Sequence, residues 1–299
     1  MFLGYLLLFV LGLSIGSFFN VLILRYNPEG RLFDVERLKG RSHCPFCGHT
    51  LSPLELIPIL SFLFLKGKCL NCHHKISFFY PLTEVLTGLV FAGVPFFLNN
   101  FYNVSHLKFW AGELGTWYYW LVFLWLLVFL SLILIALIDL KYYVIPNELN
   151  LFLFIFGILI TILIFFHQSL IYPFRTSFLK NYSLIFSPTQ NVFENHLWGA
   201  LAGGLFFWLL VLISKGKGMG FGDVKLAFAL GAVFGWPDIA LTIILSFVLG
   251  GIFSVLTVLL KKKNLKDKLP FAPFLVFCSF LVALLGQKII FYYFQMFNF

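Results

Sequence analysis

Residues 117–138, WYYWLVFLWLLVFLSLILIALI, carry no charge, and the run stops at Asp139. At 1.5 Å per residue a helix over this run spans about 30 Å, the thickness of a bilayer's hydrocarbon core. Working outward in both directions, comparable apolar runs cover about 2–24, 78–98, 149–167, 195–213, 224–236, 239–260 and 270–298. The pattern predicts an all-α polytopic membrane protein of about eight transmembrane helices. The sixth run, Val224 to Trp236, is short for a full span and carries Gly231 and Gly235, so a half-helix or a tilted one is expected there.

Composition agrees. Of 299 residues 61% are hydrophobic and 11% charged, against about a quarter charged in soluble domains, too few to solvate a globule. The net charge of +9 is no sign of nucleic-acid binding, because the cations sit between apolar runs without interleaved aromatic platforms. They report orientation instead. With the N-terminus external, the connections 25–77, 139–148, 214–225 and 261–268 are cytoplasmic and hold 17 of the 21 Lys and Arg residues. Lys108, Arg175, Lys180 and Lys288 fall on the other side. The first run has no basic residue before it, unlike a signal peptide, and is expected to be retained as a helix. The basic run 261–268 is expected against anionic cytoplasmic lipid. Trp110, Trp117, Tyr118, Tyr172 and Tyr182, in or beside the connections 99–116 and 168–194, suit the headgroup layer.

The chain thus divides into a first helix, 1–24, a polar insert, 25–77, and a membrane core, 78–299. An insert this small commonly needs a staple, and it holds four of the five cysteines. Cys44-Pro45-Phe46-Cys47 and Cys69-Leu70-Asn71-Cys72 form two C-x-x-C knuckles with zinc-ribbon spacing. Four thiolates close a tetrahedral shell around Zn2+, which leaves no position for a catalytic water and makes the site structural. Two disulfides are the alternative, disfavoured in a reducing cytosol. His43, His49, His73 and His74 are possible substitute ligands, and Cys278 reads as a small buried apolar residue.

Acids inside membrane segments are costly and become functional candidates by default. Asp139 closes one apolar run, and Asp223 follows Gly218-Met219-Gly220-Phe221-Gly222 and opens another. Both fall at one membrane boundary. The alternating glycines imply either close backbone approach or positive φ, and irregular backbone at this depth faces protein or a wet cavity. Two neighbouring carboxylates share one proton, so that one deprotonates water while the other polarises a carbonyl. Taken singly, Asp223 can be a helix N-cap and Asp139 a solvated boundary charge. If the third helix stops near Asp139, its C-terminal field favours the proton there and leaves Asp223 as the base.

Gly220-Phe221-Gly222-Asp223 with Ile138-Asp139 and Ile145-Pro146 resembles the bacterial type IV prepilin peptidases, a GxGD-type aspartyl protease family. Further matches are Gly16-Ser17-Phe18-Phe19-Asn20-Val21 through Arg25, the four-cysteine insert, Pro81-Leu82-Thr83-Glu84, and Leu269-Pro270-Phe271-Ala272-Pro273-Phe274. The resemblance implies an aspartyl site at Asp139 and Asp223, type IV prepilin or pseudopilin substrates cut on the cytoplasmic face of the bacterial inner membrane, and N-methylation of the new terminus with S-adenosylmethionine. The chain has Asn147 where the family has Asp after Ile-Pro, and Asn147 is expected to cap a helix beginning at Glu148. No Rossmann-type glycine loop occurs in the insert, so methyl transfer rests on the resemblance. Asn20 and Glu84 are candidates to serve it, or simply interhelical hydrogen bonds. The rival classes are an ion or proton transporter, a membrane-anchored zinc-ribbon scaffold, and an intramembrane aspartyl protease without methyltransferase activity.

Overall fold

A computed structural model describes residues 1–167, 177–187, 189, 191–216, 218–260 and 269–296. The basic run 261–268, together with Tyr172 and Arg175, lies outside the described residues. Each apolar run forms a helix: α1 (Phe2–Arg25), α2 (Phe79–Phe101), α3 (Thr116–Tyr142), α4 (Asn147–Phe166), α5 (Val192–Ser214), α6 (Phe221–Phe234), α7 (Asp238–Leu259) and α8 (Ala272–Met296). The described residues contain no strand, only two isolated bridges, His43 with Thr50 and Lys68 with Lys75.

Seven of these helices are long and apolar enough to cross a membrane, and α6 is the exception. At 14 residues it covers only about 21 Å. Gly235, at φ 74°, ends it. Nearly all of α6 beyond its first turn is buried, including Leu226, Ala227, Leu230 and Val233 at 0–1% exposure. Its C-terminal end therefore faces protein, where unpaired backbone groups can be satisfied, while Gly220 and Phe221 at its start are exposed.

The chain forms two compact units, Met1–Thr116 and Trp117–Phe299. In the first, α1 lies along α2. Lipid provides little hydrophobic drive between helices, so association depends on close packing. Small residues permit it: a Cβ added to Gly12 would sit 2.7 Å from Gly88 Cα, and one on Gly16 would strike the Thr87 hydroxyl. The insert joins this unit through short helical turns at Val35–Leu38, Pro53–Leu56 and Leu60–Phe64. Arg25, closing α1, donates to the carbonyls of Arg37, Leu38, Lys39, Gly40 and Arg41 at 2.8–3.4 Å. This clamp gave no local sequence signal.

In the second unit α6 packs chiefly on α5 and α4. A Cβ on Gly231 would strike the Gly199 carbonyl of α5, and one on Gly157 of α4 would come within 2.8 Å of Ala232. These contacts are backbone against backbone. Asp238, opening α7 and fully buried, accepts Ser177 Oγ–H at 3.0 Å and Phe178 N–H at 3.1 Å, tying the segment before α5 to α7. Cys278 is fully buried in α8, as its apolar surroundings predict. Trp110 and Tyr182 lie in short connecting helical turns, but Tyr118 is only 2% exposed. Its side chain faces the protein interior.

Candidate functional site

Asp139 sits in the last turn of α3 at 5% exposure. The helix ends at Tyr142 because Tyr143 turns into the left-handed region at φ 57°, donating its N–H to the Asp139 carbonyl at 2.9 Å, and Pro146 prevents its resumption upstream of α4. The Asp139 carboxylate accepts the backbone N–H of Ala272, the first residue of α8. That N–H is one of the donors every helix N-terminus leaves unpaired. Asp139 also interacts electrostatically with Asp223.

Asp223 is the third residue of α6, whose N-cap is Gly220. Its carboxylate accepts the Gly220 N–H, and its own N–H reaches the Gly220 carbonyl at 3.2 Å, half of a capping box. Capping and pairing with Asp139 are thus not alternatives, since one rotamer-fixing bond serves both. Each carboxylate is held by a helix N-terminus, so the helix-field argument that gave the proton to Asp139 does not separate the two: α3 runs a turn past Asp139, and α8 offers it an N–H.

The segment between α3 and α4 lies against the start of α6. Ile145 Cβ is 3.4 Å from where a Cβ on Gly222 would stand. Neither reading of Gly222 is required here: a Cβ would make only ordinary contact with Ile145, and the left-handed positions nearby are Lys215 and Gly216. Asn147 departs from expectation. It is the first residue of α4 and not its cap, and its Oδ1 accepts Lys225 Nζ at 2.8 Å, linking α4 to α6. The Ala272 and Gly220 N–H groups were missed in the sequence. The signal for the first is Pro270 and Pro273, since proline marks a helix start.

The four cysteines converge in the first unit. Their Sγ atoms all lie within 4.8 Å of one another, with Cys44 to Cys72 at 3.9 Å and Cys47 to Cys69 at 4.0 Å. A tetrahedron with metal–sulfur bonds of about 2.3 Å places its sulfurs about 3.8 Å apart, so the set fits one ion. All four are free thiols, and these separations exclude the disulfide alternative here. The two knuckles repeat one backbone design: Cys44 N–H bonds the His49 carbonyl and Cys69 N–H that of His74, both at 2.9 Å. The residue after each second cysteine, Gly48 or His73, takes positive φ. None of the histidines joins the set. His49 faces Glu55 at 3.4 Å, and His74 stacks on Phe46. Ser52 N–H, foremost, holds the Glu55 carboxyl below the usual range, with His49 adding to it.

Asn20 and Glu84 belong to this unit and are both buried. Glu84 accepts Ile59 N–H at 2.8 Å and bonds Ser17, while Asn20 donates to the Tyr80 carbonyl at 3.1 Å. They do link α1 with α2.

Among the described residues, eight long helices, a buried carboxylate pair and a cluster of four thiols define a polytopic membrane protein with a zinc-ribbon-like insert. Residues 10–97 match the bacterial peptidase A24 N-terminal domain and residues 126–255 the type IV leader peptidase family. Over 97% of its length the chain is 35% identical to the prepilin leader peptidase/N-methyltransferase of Bacillus subtilis, covering 98% of that protein. It is 32% identical to the same-named protein of Aeromonas salmonicida over 95% of this chain and 91% of the other, and 28% identical to that of Pseudomonas aeruginosa over 94% and 90%. The chain belongs to the type IV leader peptidase family. No solved structure matches it.

Proposed function

We propose that this protein cleaves the basic leader from type IV prepilins or pseudopilins through Asp139 and Asp223, and then methylates the new N-terminus. The observation that carries the protease reading is the pairing itself, two buried interacting carboxylates each held by a helix N-terminal N–H. The ionised member takes a proton from water as it attacks the scissile carbonyl, and the protonated member hydrogen-bonds that carbonyl and stabilises the developing oxyanion. The proton then passes to the departing amine. The fixed N–H donors keep the two groups in position through these exchanges.

The same reading places the dyad at the cytoplasmic face and the N-terminus outside, which matches the side on which a basic leader stays. Zn2+ is proposed for the four thiolates, as a support for the 25–77 insert between the first helix and the 78–299 core. A transporter is less well supported, because its acids should be spread through the bilayer, whereas these two share one boundary. Incubating purified protein with a prepilin and labelled S-adenosylmethionine, and reading leader loss and methyl incorporation separately, tests both halves. Absence of both leader loss and methyl incorporation would defeat the reading.

A further inference from the structure

The Met1–Thr116 unit holds a cavity of about 350 Å³ bounded by α1, the insert and the start of α2. This is within the range of small-molecule sites, which are mostly apolar with a few placed polar groups. Two of its polar groups are unusual. Asn20 is 6% exposed, and its Oδ1 has no hydrogen-bond partner although its Nδ2 is paired. An unpaired buried acceptor costs about 1–3 kcal/mol, and a ligand donor removes that cost. Glu84, 8% exposed and also lining the cavity, accepts Ile59 N–H and bonds Ser17. No cation pairs with it among the described residues' salt bridges. Beside them the rings of Phe46 and His74 stack at 3.5 Å, offering an aromatic surface. Cys44 and Cys69 also line the space, so the metal cluster would hold its wall rigid.

A buried carboxylate, an orphan acceptor and a stacked aromatic pair together select a ligand with positive charge, N–H donors and a planar ring. We infer that this cavity binds the methyl donor, S-adenosylmethionine, with Asn20 and Glu84 as its polar contacts. The inference rests on the methyltransferase reading. In the transfer the sulfonium S–CH3 bond breaks, its electron pair returns to sulfur, and an N–CH3 bond forms on the substrate's terminal amine. S-adenosylhomocysteine leaves as a neutral thioether, and one proton passes from the original ammonium to water. The donor site then lies in one unit and the aspartate pair in the other.

The test is calorimetric binding of S-adenosylmethionine and of S-adenosylhomocysteine to the purified full chain, wild type, Asn20→Leu and Glu84→Gln. Asn20→Leu should weaken both ligands about tenfold or more. Glu84→Gln should weaken the cationic sulfonium more than the neutral thioether. Because either variant can disturb α1 against α2, ultraviolet cross-linking of S-adenosylmethionine to the wild type gives a second measure, and labelled peptides should contain residues 42–46 or 74–84. Unchanged affinities, or a cross-link mapping outside the cavity while methyl transfer proceeds, would overturn the site and leave the activity standing. No methyl transfer by the wild type would defeat the activity, and the site with it.

Discussion

The carboxylate of Asp139, in the last turn of α3, accepts the backbone N–H of Ala272, the residue that begins α8. One helix thus uses the unpaired donor of another to hold an acid that would otherwise be free to rotate.

Proline at the first helical position keeps the helix and removes only this N–H. Ala272→Pro should therefore lower kcat/KM for leader cleavage by roughly 10–100-fold, the worth of one hydrogen bond to a charged group. Ala272→Gly, which keeps the N–H, should stay near wild type in the same assay.

The cysteine cluster predicts close to one zinc per chain by elemental mass spectrometry. Each single Cys→Ser change at 44, 47, 69 or 72 should lower that content and make the insert protease-sensitive, because a structural metal's binding energy is folding energy. Cleavage by the aspartate pair should persist at a reduced rate, since the closed shell has no place for a reacting water.

Arg25 places its guanidinium among five carbonyls of residues 37–41. A lysine ammonium cannot reproduce that planar fork. Arg25→Lys should speed limited tryptic cutting at Arg37, Lys39 or Arg41 several-fold, with the membrane helices intact by circular dichroism.

Gly231 meets the Gly199 backbone with no room for a Cβ. Gly231→Leu should force α5 and α6 apart, costing about 1–3 kcal/mol or more of stability and lowering the thermal midpoint by several degrees. Because α6 carries Asp223, cleavage should fall with it.

The helices were legible because lipid leaves few choices: an apolar run of about 20 residues must satisfy its own backbone, and a helix does so. All eight runs became helices, α6 included, whose shortness was visible in Val224–Trp236. The cysteine knuckles were legible because their spacing is local. What escaped was set by distant partners. Asn147 looked like a cap until Lys225, on another helix, claimed its oxygen. Gly222 had two readings, close approach or positive φ, and its place beside Ile145 requires neither. Tyr118 matched the aromatic belt in composition, yet its burial depends on neighbours that a linear pattern does not rank.

The central claim is that Asp139 and Asp223 act as one catalytic pair, and the most direct measurement is leader cleavage of a prepilin by purified Asp139→Asn and Asp223→Asn, each with folding verified by zinc content and thermal unfolding. Cleavage should fall below detection in both, since residues acting as a unit lose nearly everything when either is removed. Substantial cleavage by either folded variant would contradict the account.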